Sequence, residues 1–115
     1  MALVFVSAEH EVGFQEAMKS VNGRSVEVCL YLLTAVKPVR EKMQDVWKGY
    51  VDFNVLENVN LSDGERALVA LALNLYNGYE MEDVSLSPTR LFGSVDNDLK
   101  QVVLSALGYR FSKAG

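Results

Sequence analysis

The sequence predicts an all-α fold, a compact bundle of about five helices with one short helical turn. Three observations support this prediction. Apolar side chains recur at intervals of three or four residues in five separate stretches, as they do along one face of a helix. Several of these stretches follow a Ser or Asp that can cap a helix, and they end near Gly or Asn. Residues 51–59 alternate loosely between apolar and polar side chains, so a loop and a minor extended segment both stay open there.

Composition and charge narrow the class of protein. The 115 residues suffice for a single domain, 1–115, and the single cysteine cannot form an intrachain disulfide. Eleven Lys and Arg against fifteen Asp and Glu leave a net charge of -4. Direct nucleic-acid binding usually needs positive charge that neutralises phosphates, so we expect no nucleic-acid partner. Apolar stretches are too short for a membrane span or a signal peptide, which predicts no membrane partner and a cytoplasmic protein.

The first two predicted helices follow from capping signals and apolar spacing. Ser7 is an N-cap residue ahead of the first helix. We expect that helix to end at Asn22-Gly23, because Gly and Asn readily adopt the left-handed conformation. The second helix, residues 25–36, is apolar on most of its sides, as is typical of a helix buried at the centre of a fold. Cys29 lies within it and is interpreted as a small buried hydrophobe.

Proline, serine and glycine set the bounds of the remaining helices. Pro38 suits the first turn of a third helix, whose apolar spacing continues to Tyr50. Ser62 and Glu65 form a capping-box pattern at the start of a fourth helix, which ends at residues 77–78. Further along, the sequence predicts a short helical turn at residues 87–92 that Gly93 ends. A last helix follows, which begins at an Asp96 or Ser94 cap and ends at Gly108. Tyr109 and Phe111 are then expected to fold back onto the core.

Residues with catalytic or metal-binding chemistry are sparse. His10 is the only histidine and Cys29 the only cysteine, and they fall on different predicted helices. A zinc site needs three or four such ligands, and a nucleophilic Ser or Cys needs a neighbouring base. The sequence also contains no calcium-loop spacing and no Gly-rich phosphate loop. We therefore predict a non-enzymatic protein without catalytic residues, cofactor or metal, in which His10 is hydrogen-bonded or solvated in the first helical turn.

Two acidic stretches are the leading candidates for a binding surface. Residues 49–65 and residues 79–86 each contain several carboxylates and no Lys or Arg. If both stretches lie on one side of the fold, they form a negative patch that can meet a basic groove of another protein. The alternative is that they are ordinary solvated loops. The predicted partner-binding residues are Glu80, Glu82, Asp83, Asp52, Glu57 and Asp63.

Other surfaces keep further hypotheses open. Five aromatic residues gather near the ends of the third and fourth predicted helices, where they either fill a small core or line a cleft: Trp47, Tyr50, Phe53, Tyr76 and Tyr79. A self-associating structural or regulatory module is a second hypothesis, and a homodimer face would then combine the second helix with Val51, Phe53 and Val55. A third hypothesis is a small enzyme with a pocket formed by Tyr76, Asn74 and His10.

Several motifs resemble those of a family of small uncharacterised proteins from Gram-positive bacteria, prophages and other mobile elements. The resemblance extends from about residue 7 to residue 110. Its motifs are Glu9-His10 ahead of Phe14, Tyr31-Leu32-Leu33, Leu75-Tyr76-Asn77 before an acidic loop, and Ser87-Pro88-Thr89-Arg90-Leu91-Phe92. The family is one of unknown function, so the resemblance implies no activity and no site residues.

The resemblance does imply a genomic setting, and with it a hypothesis about function. Small acidic proteins of phages and mobile elements often bind and block a host factor. We therefore expect a protein-binding inhibitor of a host defence system in the bacterial cytoplasm. An anti-CRISPR protein, which blocks a CRISPR effector, is the sharpest form of this hypothesis. The expected partner is a host protein with a basic surface.

Overall fold

Helices make up most of the chain that the structure describes. The structure is a computed structural model, and it describes residues 3–19 and 21–112. Its helices are α1 (Ala8–Ala17), α2 (Arg24–Ala35), α3 (Lys37–Arg40), α4 (Met43–Val46), α5 (Phe53–Glu57), α6 (Asp63–Asn77), α7 (Pro88–Ser94) and α8 (Asn97–Arg110). Over these ranges, the β structure is limited to an isolated antiparallel bridge between Trp47 and Val51. The predicted all-α class is confirmed. Each described helix is too short or too polar to cross a membrane.

Helix α2 lies at the centre of the fold. All residues from 28 to 36 are buried, and α2 packs against α1, α6 and α8. Burial of each Leu or Val side chain contributes roughly 1.5–3 kcal/mol to folding, so this helix carries a large part of the apolar stabilisation. The prediction of a central helix at residues 25–36 is therefore confirmed.

Capping residues predicted from the sequence begin α1, α6 and α8. The Ser7 side chain accepts a hydrogen bond from the His10 backbone N–H at the start of α1. Ser62 and Glu65 exchange the two hydrogen bonds of a capping box at the start of α6. Asp96 caps α8 in the same way as Ser7 caps α1. These side chains satisfy backbone N–H groups that have no partner within the helix. Because only a few residue types can do this, the sequence predicts where these helices start.

The extended arm ahead of α1 lies across the bundle. Leu3 and Phe5 pack against the core, whereas Val4 is exposed. The Val4 backbone N–H donates to Ser105 Oγ of α8 at 2.9 Å, and the Tyr31 hydroxyl of α2 donates to the Val4 carbonyl oxygen. The arm is thus tied to two helices, and its backbone groups are satisfied by side chains instead of a strand partner.

The predicted third helix, residues 38–50, is wrong as a single element. The chain forms the two short helices α3 and α4, with a turn at residues 41–42 where the Lys42 N–H bonds to the Val39 carbonyl. Gly49 then adopts φ +85° and reverses the chain, so that Trp47 and Val51 form the isolated bridge. Helices of about four residues have little stability of their own, so packing against the core decides where they break.

Residues 51–59 also differ from the prediction. They contain α5 in place of the predicted loop or minor extended segment. The Asp52 carboxylate accepts from the backbone N–H groups of Asn54 and Val55 and so begins this helix. The alternating pattern is misleading because Val51 and Leu56 are both buried, although they belong to different local structures.

Smaller corrections concern the helix ends. Helix α1 ends at Ala17, well before the predicted stop at residues 22–23, while α8 continues through Gly108 to Arg110. Tyr109 is half-buried and packs against the core, as predicted. The expectation that Phe111 returns to the core is wrong, because 65% of this residue is exposed.

The start of α6 touches the end of α7 so closely that only glycine fits there. A Cβ placed on Gly64 would lie 2.6 Å from the Ser94 carbonyl oxygen, whereas a Cβ on Gly93 would meet nothing within 4 Å. We expect Gly64→Ala to lower the free energy of unfolding by about 1–3 kcal/mol because the backbone must move. The matched control Gly93→Ala should raise it by about 0.5–1 kcal/mol, since alanine favours a helix. Urea unfolding of both variants checks this, and equal effects would contradict it.

Candidate functional site

A cleft opens between α5, α6 and the loop at residues 79–83. Its volume is about 480 Å³. The apolar and aromatic residues that line it are Phe53, Leu56, Leu61, Val69, Leu73, Tyr79 and Met81. The charged residues that line it are Glu57, Arg66, Glu80, Glu82 and Asp83. We call this feature the acidic cleft.

The floor of the acidic cleft belongs to packed helices. Val69 and Leu73 are one helical turn apart on α6, and each is only 2% exposed. Leu56 of α5 is 6% exposed and completes the floor. The same three residues contribute to the hydrophobic core of the fold, so the cleft surface is a direct continuation of that core.

Several contacts hold the loop at residues 79–83 against the helices, among them an ion pair and an aromatic pair. The Arg66 guanidinium donates to Asp83 Oδ2 from Nη2 at 2.7 Å and from Nε at 3.0 Å. The rings of Phe53 and Tyr79 lie 5.0 Å apart between centroids, with a tilt of 48°. An ion pair and an aromatic pair therefore fix the loop to α6 and α5 respectively.

The structure brings together four of the six predicted partner-binding residues. Glu57 from the first acidic stretch and the three carboxylates of the second, Glu80, Glu82 and Asp83, all line the acidic cleft. Asp52 and Asp63 do not line it. Asp52 is the N-cap of α5, and Asp63 is an exposed residue in the first turn of α6. The first stretch therefore contributes one predicted carboxylate to the acidic cleft, and the second stretch contributes all three.

The fold supplies cations that neither acidic stretch contains. Lys48 Nζ lies 3.3 Å from Asp52 Oδ2, and this contact lowers the pKa of the Asp52 carboxyl. The hydrogen bonds from Arg66 lower the pKa of Asp83 in the same way. Glu57, Glu80 and Glu82 are exposed and form no ion pair with any described residue. Sequence reasoning missed Arg66, because it lies 17 residues before Asp83 and no spacing rule connects them.

The five aromatic residues do not form one cluster. Phe53 and Tyr79 line the acidic cleft, whereas Trp47 and Tyr76 pair at 6.4 Å between ring centroids and line a separate cavity of about 420 Å³. Tyr50 is 56% exposed. The aromatic residues thus line separate cavities, and Trp47, Tyr76 and Phe53 also pack against the core, whereas Tyr79 is exposed.

His10 is a buried structural residue. Its Nδ1 accepts from the Val6 N–H at 3.2 Å, and its Nε2 lies 2.8 Å from the Tyr31 carbonyl oxygen. Because the first partner only donates and the second only accepts, the neutral ring with its proton on Nε2 satisfies both contacts. Burial lowers the pKa of His10, the bond to Tyr31 opposes this, and the positive charge of Arg40 lowers it further. Both ring nitrogens are thus engaged, and a role as a general base is not supported.

The remaining reactive groups lie apart from the acidic cleft. Cys29 is fully buried in α2, and burial raises the pKa of its thiol to about 12. Among residues 3–19 and 21–112, no three His, Cys, Asp or Glu side chains gather as metal ligands would. The enzyme pocket proposed from sequence is also not assembled, since Tyr76 lines the second cavity while His10 is enclosed in the core.

The predicted homodimer face is buried within the monomer. Most of α2 is inaccessible, and Val51 is only 5% exposed. Phe53 and Val55 are half-buried against the core. The expectation that these residues form an exposed apolar face is therefore wrong, because they fill the protein's own core. The homodimer itself stays a prediction.

Comparison with known proteins gives one match. A family model described as a family of unknown function (DUF6075) matches residues 1–114. No curated protein and no solved structure matches the chain. The match agrees with the uncharacterised character that the sequence motifs implied, and it supplies no activity for the acidic cleft.

The burial of neutral His10 predicts a pH-dependent stability. Since the pKa in the folded state is below its ordinary value of 6.5, the folded state disfavours the protonated ring. The contribution of His10 is therefore complete above about pH 6.5 and is lost as the pH falls toward the folded-state pKa, with a slope of at most about 1.4 kcal/mol per pH unit. Urea unfolding between pH 5 and 8 should show this slope in the wild type and not in His10→Gln. Parallel pH profiles would contradict it.

The burial of Cys29 predicts an unreactive thiol. A thiol whose pKa is about 12 holds almost no thiolate at pH 8, and the surrounding helices block the approach of reagents. We expect an aromatic disulfide reagent to modify no thiol in the native protein within an hour, and one thiol per chain in denaturing urea. Rapid modification of the native protein would show that α2 is accessible.

Proposed function

The chain belongs to the DUF6075 family of unknown function, and we propose that it acts by stoichiometric binding of another protein through the acidic cleft. The observation that carries this proposal is the combination of three unpaired carboxylates, Glu57, Glu80 and Glu82, with an apolar floor. Surfaces that bind proteins commonly combine an apolar centre with a charged rim, and pockets of this volume are typical ligand sites.

Electrostatics favours a basic partner. Four carboxylates and one guanidinium line the cleft, which leaves a formal charge of -3 there, within a chain of net charge -4. Complementary charge speeds association and selects partners more than it raises affinity. A host protein with a Lys- and Arg-rich surface is therefore the expected partner, and direct binding of nucleic acid or of an anionic membrane is not.

The finer proposal is that this chain is a phage or mobile-element protein that inhibits a host defence system, with a CRISPR effector as one candidate target. Support for this comes from the resemblance of its motifs to small proteins of mobile elements and from the acidic charge. Defence proteins that handle nucleic acid carry basic surfaces that an acidic protein can occupy. We further propose that the action is non-enzymatic, since His10 and Cys29 are both committed to the core.

Charge reversal tests the proposal directly. The variant with Glu57→Lys, Glu80→Lys and Glu82→Lys should capture at least about tenfold less of a basic partner from bacterial lysate, because three attractive contacts become repulsive. A matched control reverses Glu11, Glu41 and Asp45, which are equally exposed but lie outside the cleft. Its capture should stay near that of the wild type.

Identification of the captured protein and a plating assay complete the test. The partner should carry a basic surface, and expression of the chain in a strain with an active defence system should raise the plating of a restricted phage. The cleft variant should lose both effects while keeping the unfolding midpoint of the control. Equal capture by the cleft and control variants would overturn the proposal.

A further inference from the structure

The shape of the acidic cleft is informative beyond its charge. Glu57, Glu80 and Glu82 are exposed where they line this concavity, whereas Val69 and Leu73 are buried within it, so a flat or grooved partner would meet the carboxylates and not the apolar interior. The floor at Val69 and Leu73 can be reached only by side chains that protrude from the partner. We propose that the cleft receives a short protruding segment in which an apolar residue is flanked by arginine or lysine. This inference rests on the proposed function and names the kind of partner surface involved.

The apolar interior of the cleft supports an apolar residue in the bound segment. Leu56, Val69 and Leu73 lie at the base of a cavity of about 480 Å³ but are almost fully buried, so the accessible apolar surface comes mainly from the half-buried residues Phe53, Leu61 and Met81. Met81, a flexible and polarisable side chain, lines the cleft from the loop and is half-buried. Apolar surface of this kind gains free energy when an apolar side chain displaces water from it. A purely charged ligand would leave this part of the cleft without a partner.

The carboxylates that line the cleft support the flanking arginine or lysine of the bound segment. Asp83 already pairs with Arg66, so an incoming cation is attracted to the three other carboxylates. Tyr79, which is 44% exposed, lines the same cleft next to Glu80. An arginine can stack its planar guanidinium on such a ring and still bond a carboxylate, whereas lysine offers only a point charge. Arginine is therefore the preferred cation.

Peptide probes distinguish a bound segment from an acidic surface that plugs a basic groove. The first probe is a nine-residue peptide, Gly-Ser-Arg-Leu-Leu-Arg-Ser-Gly-Lys, with a fluorophore at its amino end. In two comparison peptides serine replaces both leucines, or glutamine replaces both arginines. Fluorescence anisotropy with the full chain should show at least tenfold weaker binding for each comparison peptide than for the first. Equal binding of the serine peptide would overturn the inference, because the floor would then contribute nothing.

Variants of the protein locate the binding. Met81→Trp should fill the cavity and weaken binding of the first peptide at least tenfold. The control Met43→Trp changes a half-buried methionine outside the cleft and should leave that binding unchanged. A triple variant removes the negative charge and keeps the side-chain shape: Glu57→Gln, Glu80→Gln and Glu82→Gln. It should weaken binding of the first peptide by a similar factor. Thermal unfolding confirms that each variant is folded. Equal weakening by Met81→Trp and Met43→Trp would overturn the assignment to the cleft.

The outcomes separate this inference from the proposed function. If the wild type ignores all peptides yet captures a folded basic protein through the same carboxylates, the segment model fails and the proposed function stands. If charge reversal leaves capture unchanged and no peptide binds, both fail. Selective binding of the first peptide, lost in Met81→Trp, supports the inference.

Discussion

The burial of α2 on all sides is the constraint on which the rest of the structure depends. Residues 28–36 have no exposed face, so other elements must cover each side of the helix. Helices α1, α6 and α8 provide that cover. Helix α6 has a second role, because Val69 and Leu73 belong to the core and also line the acidic cleft. The candidate binding surface is therefore fixed in place by the packing that stabilises the fold.

A fold centred on an apolar helix must still satisfy the polar groups at its core. His10 and Tyr31 do this together: the histidine bridges the arm and α2, and the tyrosine hydroxyl holds the Val4 carbonyl. Thr34 adds bonds from its hydroxyl to the carbonyls of its own helix. Buried polar groups are costly unless paired, which explains why the one histidine of the sequence serves the structure. His10 is therefore committed to holding the arm against α2.

Charge on the protein surface depends on cationic neighbours, one of them four residues along the chain from its carboxylate and the other 17 residues away. Lys48 and Arg66 moderate two of the predicted acidic residues, and Asp52 serves as a helix cap besides. What distinguishes Glu57, Glu80 and Glu82 is their position around an apolar concavity. This combination can discriminate among basic partners, since a cation alone fills only part of it.

The sequence by itself determined the all-α class, the central helix and the caps at Ser7 and Ser62, because each depends on spacing within a few residues. At the last helix the sequence left Asp96 and Ser94 as alternatives, and the structure selects Asp96. The sequence also singled out the two acidic stretches. Only the tertiary structure decided where residues 38–50 break, that residues 53–57 are helical, and which carboxylates meet. Short helices gain their stability from packing, and the cleft joins side chains from α5, α6 and a loop. No local pattern encodes such contacts, so the acidic cleft and its Arg66–Asp83 ion pair became visible only in the folded chain.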